Sequence, residues 1–382
     1  MVSLKRIREK VVYMPKQVPD DLELLKLMLD DTNQAADIYK PTNYWSVYEK
    51  RFLPELQKLG LHNFRRRKNS VLNSFGATDL FSPYGIDLLR NGLLLNQVAK
   101  KFPFWKALLL KINSLLNKAL PFRLPYDMNL EELRMTAYHV SCLLGEICKS
   151  RPLAKLNISL AGNPEDVFVV NGKPYTVSIL KYYLQYAYCC KFINFDKISV
   201  LVELGSGMGK QVEIIKKLHP QITFLLFDIP PQLYVCEQYL KYVFPNEVVS
   251  YRETRPMDSS AFISYLKKGK IYILGNWKFP ILANLDIDLF WNATSFQEME
   301  PEVVANYLAY INKSAKAVFI KAIMEGKELT QEKGKHGVIR QTTIEDYKKG
   351  LSNFKLIDLS NQLFPFYDSR VEPNSFWKLN IN

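Results

Sequence analysis

A glutamate placed two residues before three closely spaced glycines, followed about 20 residues later by an aspartate, is the pattern in this chain that could do chemistry. The segment Val200-Leu201-Val202-Glu203-Leu204-Gly205-Ser206-Gly207-Met208-Gly209-Lys210-Gln211 is an apolar run that ends in an acid and then in glycines. Apolar residues without alternation suit a strand buried on both faces, and glycines let the backbone turn sharply and approach a ligand. The glycines run Gly-x-Gly-x-Gly, with Lys210 where a dinucleotide fold carries its third glycine, so a dinucleotide fits poorly. Glu203 would repel a pyrophosphate and attract an ammonium group. The next apolar run, Thr223 to Phe227, ends in Asp228, at the offset where an acid takes ribose hydroxyls. A nucleoside with a cationic amino-acid tail is S-adenosylmethionine.

Longer strings carry a resemblance. Phe227-Asp228-Ile229-Pro230-Pro231-Gln232-Leu233-Tyr234, Ser250-Tyr251-Arg252-Glu253-Thr254 and Asp288-Leu289-Phe290-Trp291-Asn292-Ala293-Thr294-Ser295-Phe296-Gln297-Glu298-Met299 resemble the sugar O-methyltransferase family, within the class I S-adenosylmethionine-dependent methyltransferases. The likeness covers residues 158–382, beginning near Ala161-Gly162-Asn163-Pro164 and Gly172-Lys173-Pro174-Tyr175-Thr176. It implies a Rossmann-like, doubly wound, mostly parallel sheet and methyl transfer to a hydroxyl of a sugar or glycan. The expected cofactor contacts are Glu203, Gly205, Ser206, Gly207, Gly209, Gln211 and Asp228, with Asn292 at the end of the fourth strand. In related methyltransferases an acid or amide after the third strand holds the adenine amine, which points to Asn276, with Met257 and Asp258 as alternates.

A sulfonium methyl needs little activation because its leaving thioether is neutral, so the enzyme chiefly aligns the acceptor. A sugar hydroxyl is a weak nucleophile whose proton must leave, so a positioned base is expected. The substrate crevice opens at the carboxyl end of the fourth strand, which places Ser295, Gln297 and Glu298 near the acceptor. Glu298 is the first choice as base, although a carboxylate there could also serve the dipole of the next helix. His336, in the Gly326–Gly337 loop, is the second choice, against a plain solvated histidine. Tyr175 is a further candidate for the substrate. No metal is expected: the Asp-Asp pairs Asp20-Asp21 and Asp30-Asp31 precede the catalytic region, leaving only Asp258, Asp286 and Asp288.

The elements that must position these residues fall into three parts. Residues 1–157 read as a mostly helical N-terminal domain. Asp20-Asp21 caps Leu22, Leu25, Met28 and Leu29; Trp45, Tyr48, Phe52, Leu56 and Leu59 recur at helical spacing; Leu130 to Ile147 continues the pattern. Residues 158–197 form a hairpin around Asn171-Gly172, a type I′ signal, then a helix from Ser178 to Cys190 whose Tyr182, Tyr183, Tyr186 and Tyr188 could stack on sugar or pack in a core. Residues 198–382 form the cofactor domain. Val212 to Leu218 is helical, Pro230-Pro231 opens the next helix, Ile271–Asn276 is preferred to Val248–Arg252 as the third strand, and Ile287–Asn292 is the fourth. Ala317–Ile320 is the fifth, Thr342 to Glu345 reads as a capping box, and Phe376–Leu379 as a terminal strand.

At 382 residues and 48% hydrophobic content, the chain can bury a sizeable core. The N-terminus lacks a signal-peptide pattern and no run approaches a membrane span. Five cysteines, two of them adjacent, suggest the reducing cytoplasm. The net charge of +13 suits anionic partners as well as it suits plain solvated lysines. Nucleic acid is disfavoured, because Arg65-Arg66-Arg67-Lys68 has no binding motif around it. The basic apolar stripe at 100–120, from Trp105 to Ala119, fits ordinary packing better than peripheral contact with the inner face of a membrane. The expected partner is a carbohydrate, free, nucleotide-linked or lipid-linked. A non-sugar small-molecule acceptor and a noncatalytic scaffold in glycan assembly stay open as alternatives.

Overall fold

The computed structural model describes residues 18–65, 130–164, 167–360 and 372–380. The first helix, α1 (Leu22–Gln34), begins where the Asp21 carboxylate accepts the Leu24 N–H at 3.0 Å, and it buries Leu24, Leu25 and Met28. Full burial of such side chains stabilises by roughly 1.5–3 kcal/mol each. Helix α2 (Asn43–Leu59) stops at Gly60, whose φ of 56° few other residues adopt. After α3 (Leu130–Ile147) comes the hairpin, β1 (Phe168–Val170) and β2 (Lys173–Tyr175). Asn171 and Gly172 join its strands with φ of 49° and 76°, the two left-handed residues of a type I′ turn. Helix α4 (Val177–Cys190), capped by Thr176, then leads into the sheet.

The remaining elements are β3 (Val200–Leu204), α5 (Lys210–Leu218), β4 (Thr223–Asp228), α6 (Pro230–Val243), β5 (Val248–Val249), α7 (Tyr251–Thr254), α8 (Ser259–Tyr265), β6 (Ile271–Gly275), β7 (Leu289–Ala293), α9 (Pro301–Ser314), β8 (Ala317–Lys321), α10 (Ile344–Gly350), β9 (Phe354–Ser360) and β10 (Asn374–Leu379). The strands lie in the order β5-β6-β4-β3-β7-β8-β10-β9. All neighbours from β5 to β8 are parallel, and β10 runs antiparallel between β8 and β9. This is a doubly wound, Rossmann-like sheet. The winding reverses at β3, which has β4 on one side and β7 on the other, so a crevice opens beyond Leu204, where such sheets bind ligands.

Every residue of β4 is buried, as an unalternating run requires. Leu201, Phe224, Trp291 and Phe319 face one hydrophobic cluster, whereas Val202, Leu225, Phe290 and Val318 face the other. The first cluster also holds Leu24, Met28, Phe52 and Leu56, so the N-terminal helices share a core with the sheet. Polar staples reinforce that contact: Arg255 pairs with Asp31 at 2.6 Å, Arg252 with Asp21 at 3.1 Å, and Tyr234 donates to Asp20.

Two expectations shift. The third place in the winding belongs to Ile271–Gly275, yet Val248–Val249 also pairs, as a two-residue edge strand. The capping box is formed one residue later, by Thr343 and Asp346, because Thr342 turns its hydroxyl to the Met299 carbonyl at 2.7 Å. Of the basic run at 65–68 only Arg65 is described. It is buried and donates to the carbonyls of Ser159 and Ala161 at 2.9 and 3.3 Å, so it is no part of a charged surface. The stripe at 100–120 lies outside the described residues. Among the described residues no helix is long and apolar enough to cross a membrane.

Candidate active site

The turn after β3 is held from both sides. The Gly205 N–H donates to the Phe227 carbonyl at 2.8 Å and the Gly207 N–H to Asp228 Oδ2 at 2.9 Å, so the turn is tied to the end of β4. All three glycines have positive φ. At Gly205 a Cβ would strike Ser295 Oγ at 2.4 Å, whereas at Gly207 it would meet nothing within 4 Å. Gly205 therefore packs against protein, as does Gly209 against Leu240, and Gly207 faces open space.

On this turn and its flanking elements lie buried polar atoms without a hydrogen-bond partner, Glu203 Oε2, Ser206 Oγ and both amide atoms of Gln211, and Gln232 Oε1 in the first turn of α6 is another. Such groups are costly to leave unpaired. Burial holds the Glu203 carboxyl well above its ordinary range, and Asp228 adds to the effect. Burial likewise pushes Asp228 up to about 7, against the Gly207 and Ile229 N–H groups that favour its charged form. A ligand bringing a cation to Glu203 and hydroxyl donors to Asp228 would satisfy both. The residues present fit an aminoacyl nucleoside. Asn276, after β6, donates to the Tyr39 carbonyl at 2.7 Å and the Tyr307 hydroxyl at 2.9 Å. Its Oδ1 is buried without a partner, an acceptor suited to an adenine amine. The two alternates are engaged: the Met257 carbonyl accepts Lys278 at 2.8 Å, and Asp258 caps α8 through the Ala261 N–H at 2.8 Å.

Beyond Asp228, Glu298 ends a short 3-10 turn after β7. Its Oε1 lies 2.6 Å from Lys327 Nζ, with both side chains largely buried. Burial raises the Glu298 carboxyl, and Lys327 and a hydrogen bond from Trp45 oppose that rise. Glu300 occupies the N-cap position of helix α9 without a side-chain capping bond, and Glu302 lies in its first turn, whereas the Glu298 carboxylate is engaged by Lys327. A second buried pair, Lys321 with Glu372, lies alongside; Gln297 donates to Glu372 at 3.0 Å. Burial would raise Glu372, but Lys321 outweighs it and holds the carboxyl at about 2.

No family model matches the chain, and no curated protein matches it. Among solved structures it is similar to mitomycin 7-O-methyltransferase, at 11% identity over 54% of this chain and 55% of that one, with a TM-score of 0.35. It is also similar to the magnesium protoporphyrin IX methyltransferase of Synechocystis PCC 6803 with bound S-adenosylmethionine, at 11% identity, 56% and 86% coverage and a TM-score of 0.34. A third is an S-adenosylmethionine-dependent methyltransferase of Leishmania major, at 11% identity, 66% and 87% coverage and a TM-score of 0.36. The chain thus spans little more than half the length of the first of these structures.

Several residues expected at the ligand stand elsewhere. Asn292 donates to the Leu204 carbonyl at 3.0 Å and to Ser295 Oγ at 2.6 Å, and accepts the Phe296 N–H at 3.1 Å. Ser295 in turn donates to the Leu204 carbonyl at 3.2 Å. The two side chains brace the glycine turn from behind, because its buried carbonyl needs donors. Gln297 is fully buried, its Oε1 accepting the Ile323 N–H at 2.6 Å. Tyr175 packs its ring against Tyr138, with centroids 4.9 Å apart, and donates to the Leu156 carbonyl, a core position. Tyr183, Tyr186 and Tyr188 are core residues as well, with hydroxyls on Ser150, His219 and Asp358. Only Tyr182 of that group is half-exposed, 5.8 Å beneath Lys210 Nζ. His336 is exposed, bridged between Tyr48 at 3.0 Å and Glu328 at 3.1 Å. Asp288 sits at the opposite end of the sheet, accepting the Ser199 and Val200 N–H groups. Among the described residues no three His, Cys, Asp or Glu side chains are grouped to hold a metal ion.

Sequence reading missed Lys327, Glu372, Gln232 and the whole contribution of residues 39–48. Gln232 lies within a recognised string; the others carry no local signal, since their roles arise from contacts distant in sequence.

Proposed function

We propose that this chain is an S-adenosylmethionine-dependent O-methyltransferase that methylates a hydroxyl of a sugar or glycan. The observation that carries the reading is the group of unpartnered buried atoms on Glu203, Ser206 and Gln211 around a glycine turn whose far side is held by Asp228. When bound, the cofactor supplies an electrophilic methyl on a sulfonium with a neutral leaving group. Glu203 receives the ammonium, Asp228 the ribose hydroxyls, and the open face at Gly207 lets the ligand approach the backbone. Asn276 Oδ1 accepts the adenine amine.

At the acceptor end Glu298 takes the hydroxyl proton as the new C–O bond forms. Lys327 keeps that carboxylate ionised inside a buried site, and a buried base gains proton affinity from its surroundings. The sugar as acceptor rests on the resemblance of the Asp288–Met299 string and its neighbours. Calorimetric titration with S-adenosylmethionine and with NAD tests the cofactor. Mass-spectrometric screening of free, nucleotide-linked and lipid-linked sugars for a gain of one methyl then tests the acceptor. Tight NAD binding without S-adenosylmethionine binding would overturn the reading.

A further inference from the structure

Residues 39–48 touch the loops that follow three successive strands. The Tyr39 carbonyl accepts from Asn276, after β6. Thr42 donates to the Glu298 carbonyl, after β7, at 2.9 Å. Asn43 grips the loop after β8 with its whole amide: Nδ2 donates to the Lys335 and Gly337 carbonyls at 3.0 and 2.8 Å, and Oδ1 accepts the Gly334 N–H at 2.7 Å. The same loop carries Lys327, whose ammonium lies 4.2 Å from the centre of the Tyr44 ring and 2.6 Å from Glu298. Gln341 closes the loop at its base by donating to the Lys327 carbonyl at 2.7 Å.

We propose that Asn43 is a positioning residue of the acceptor site: it fixes the 334–337 backbone, which continues into Val338, whose N–H donates to the Glu328 carbonyl at 3.0 Å, and so sets Lys327 between Tyr44 and Glu298 and orients the Glu298 carboxylate. This rests on Glu298 acting as the base. The charged groups facing Glu298 are Lys327 from the β8–α10 loop, Glu372 ahead of β10 and Asp228 after β4. Glu372 is itself paired with Lys321, so Lys327, in direct contact with Glu298, is the cation that acts most strongly on its carboxyl. Neither Asn43 nor Tyr44 belongs to the stretch whose motifs resemble a methyltransferase, and the site is incomplete without them.

The test follows the Glu298 carboxyl directly and needs no acceptor. Glutamate carboxyl carbons are labelled with 13C, the Glu298 signal is assigned by its loss in Glu298→Gln, and its titration is followed by NMR in the full chain. Lys327→Met moves the midpoint up by about one pH unit or more, and Lys327→Arg restores it. Asn43→Ala moves it in the same direction by a smaller step, and speeds hydrogen exchange at Gly334 by about tenfold. Asn43→Leu, of similar size but without the amide and so without the Gly334 contact, serves if the alanine variant does not fold. An Asn43 variant with faster loop exchange but an unmoved Glu298 midpoint overturns the proposal, as does unchanged exchange. Calorimetry with S-adenosylhomocysteine on the same samples separates the two ideas: failure to bind sinks the proposed function, whereas the Glu298 shift is read independently.

Discussion

Asp228 accepts the Gly207 N–H across 21 residues, so the group proposed for the ribose also sets the shape of the glycine turn. Asp228→Ala should therefore weaken S-adenosylmethionine binding by about 10–100-fold, the loss of a charge-assisted hydrogen bond worth roughly 1.5–3 kcal/mol. Calorimetric titration of the variant beside the wild type reads this directly, and unchanged affinity would remove Asp228 from the site.

Binding should also depend on pH near neutrality. Burial raises Asp228 from its ordinary 3.8 to about 7, so the uncharged form is favoured in the free protein. A raised carboxyl stabilises the fold most fully below its unfolded value, and that contribution is lost as pH rises through about 7. The ribose diol needs the ionised acceptor, so affinity for S-adenosylhomocysteine should rise between about pH 6 and pH 8, with proton release visible in buffers of different ionisation enthalpy. A flat profile would contradict the assignment.

Gly205→Ala should cost about 1–2 kcal/mol from the left-handed backbone alone, and more from its clash with Ser295 Oγ. Ser295→Gly relieves the clash but not the backbone term, so in that background, which already lacks the bond to the Leu204 carbonyl, Gly205→Ala should cost less than in the wild type. Urea unfolding of the single and double variants reads the difference; no cost at all in the Ser295→Gly background would mean that φ at this position carries no strain.

Much of this arrangement was legible because the physics is local. An unalternating apolar run buries both faces, which fixed β3, β4 and β6 in their central places, and Asn171-Gly172 can close a hairpin in few other ways. Strand β9 escaped notice because it is an edge strand whose alternation is broken: apolar Ile357 and Leu359 stand on the exposed face and polar Asp358 and Ser360 on the less exposed one. Side-chain roles were harder. Asn276 donates to a carbonyl 237 residues upstream, and Gln297 is held by Glu372; no window of sequence contains either pair. Asn292 and Ser295 were expected at the ligand because they end the right strand, but the Leu204 carbonyl, orphaned by the turn, claims them first.

Lys321 and Glu372 form a buried pair whose members cannot be removed singly without cost. Lys321→Met should destabilise the protein by about 3–5 kcal/mol, and the double variant with Glu372→Met by much less. Because Glu372 is held at about 2, its contribution is present above its ordinary 4.5 and lost as pH falls toward about 2. Equal urea midpoints for the single and double variants would show that the pair is not coupled.

Glu298→Gln should leave S-adenosylmethionine affinity nearly unchanged while slowing methyl transfer to the acceptor found by screening by about 10²–10⁴-fold. Parallel loss of binding and turnover would remove Glu298 as the base.

The grip of Asn43 on residues 334–337 also bears on how the chain reaches this state. Its partners lie 291–294 residues downstream, so helix α2 leaves the ribosome well before the loop it holds has been made. At about 5–20 residues per second the delay is roughly 15–60 s. During synthesis the apolar face of α2 can dock once α6 has been made, whereas the acceptor side is assembled only after β7, β8 and the loop that Asn43 holds have followed.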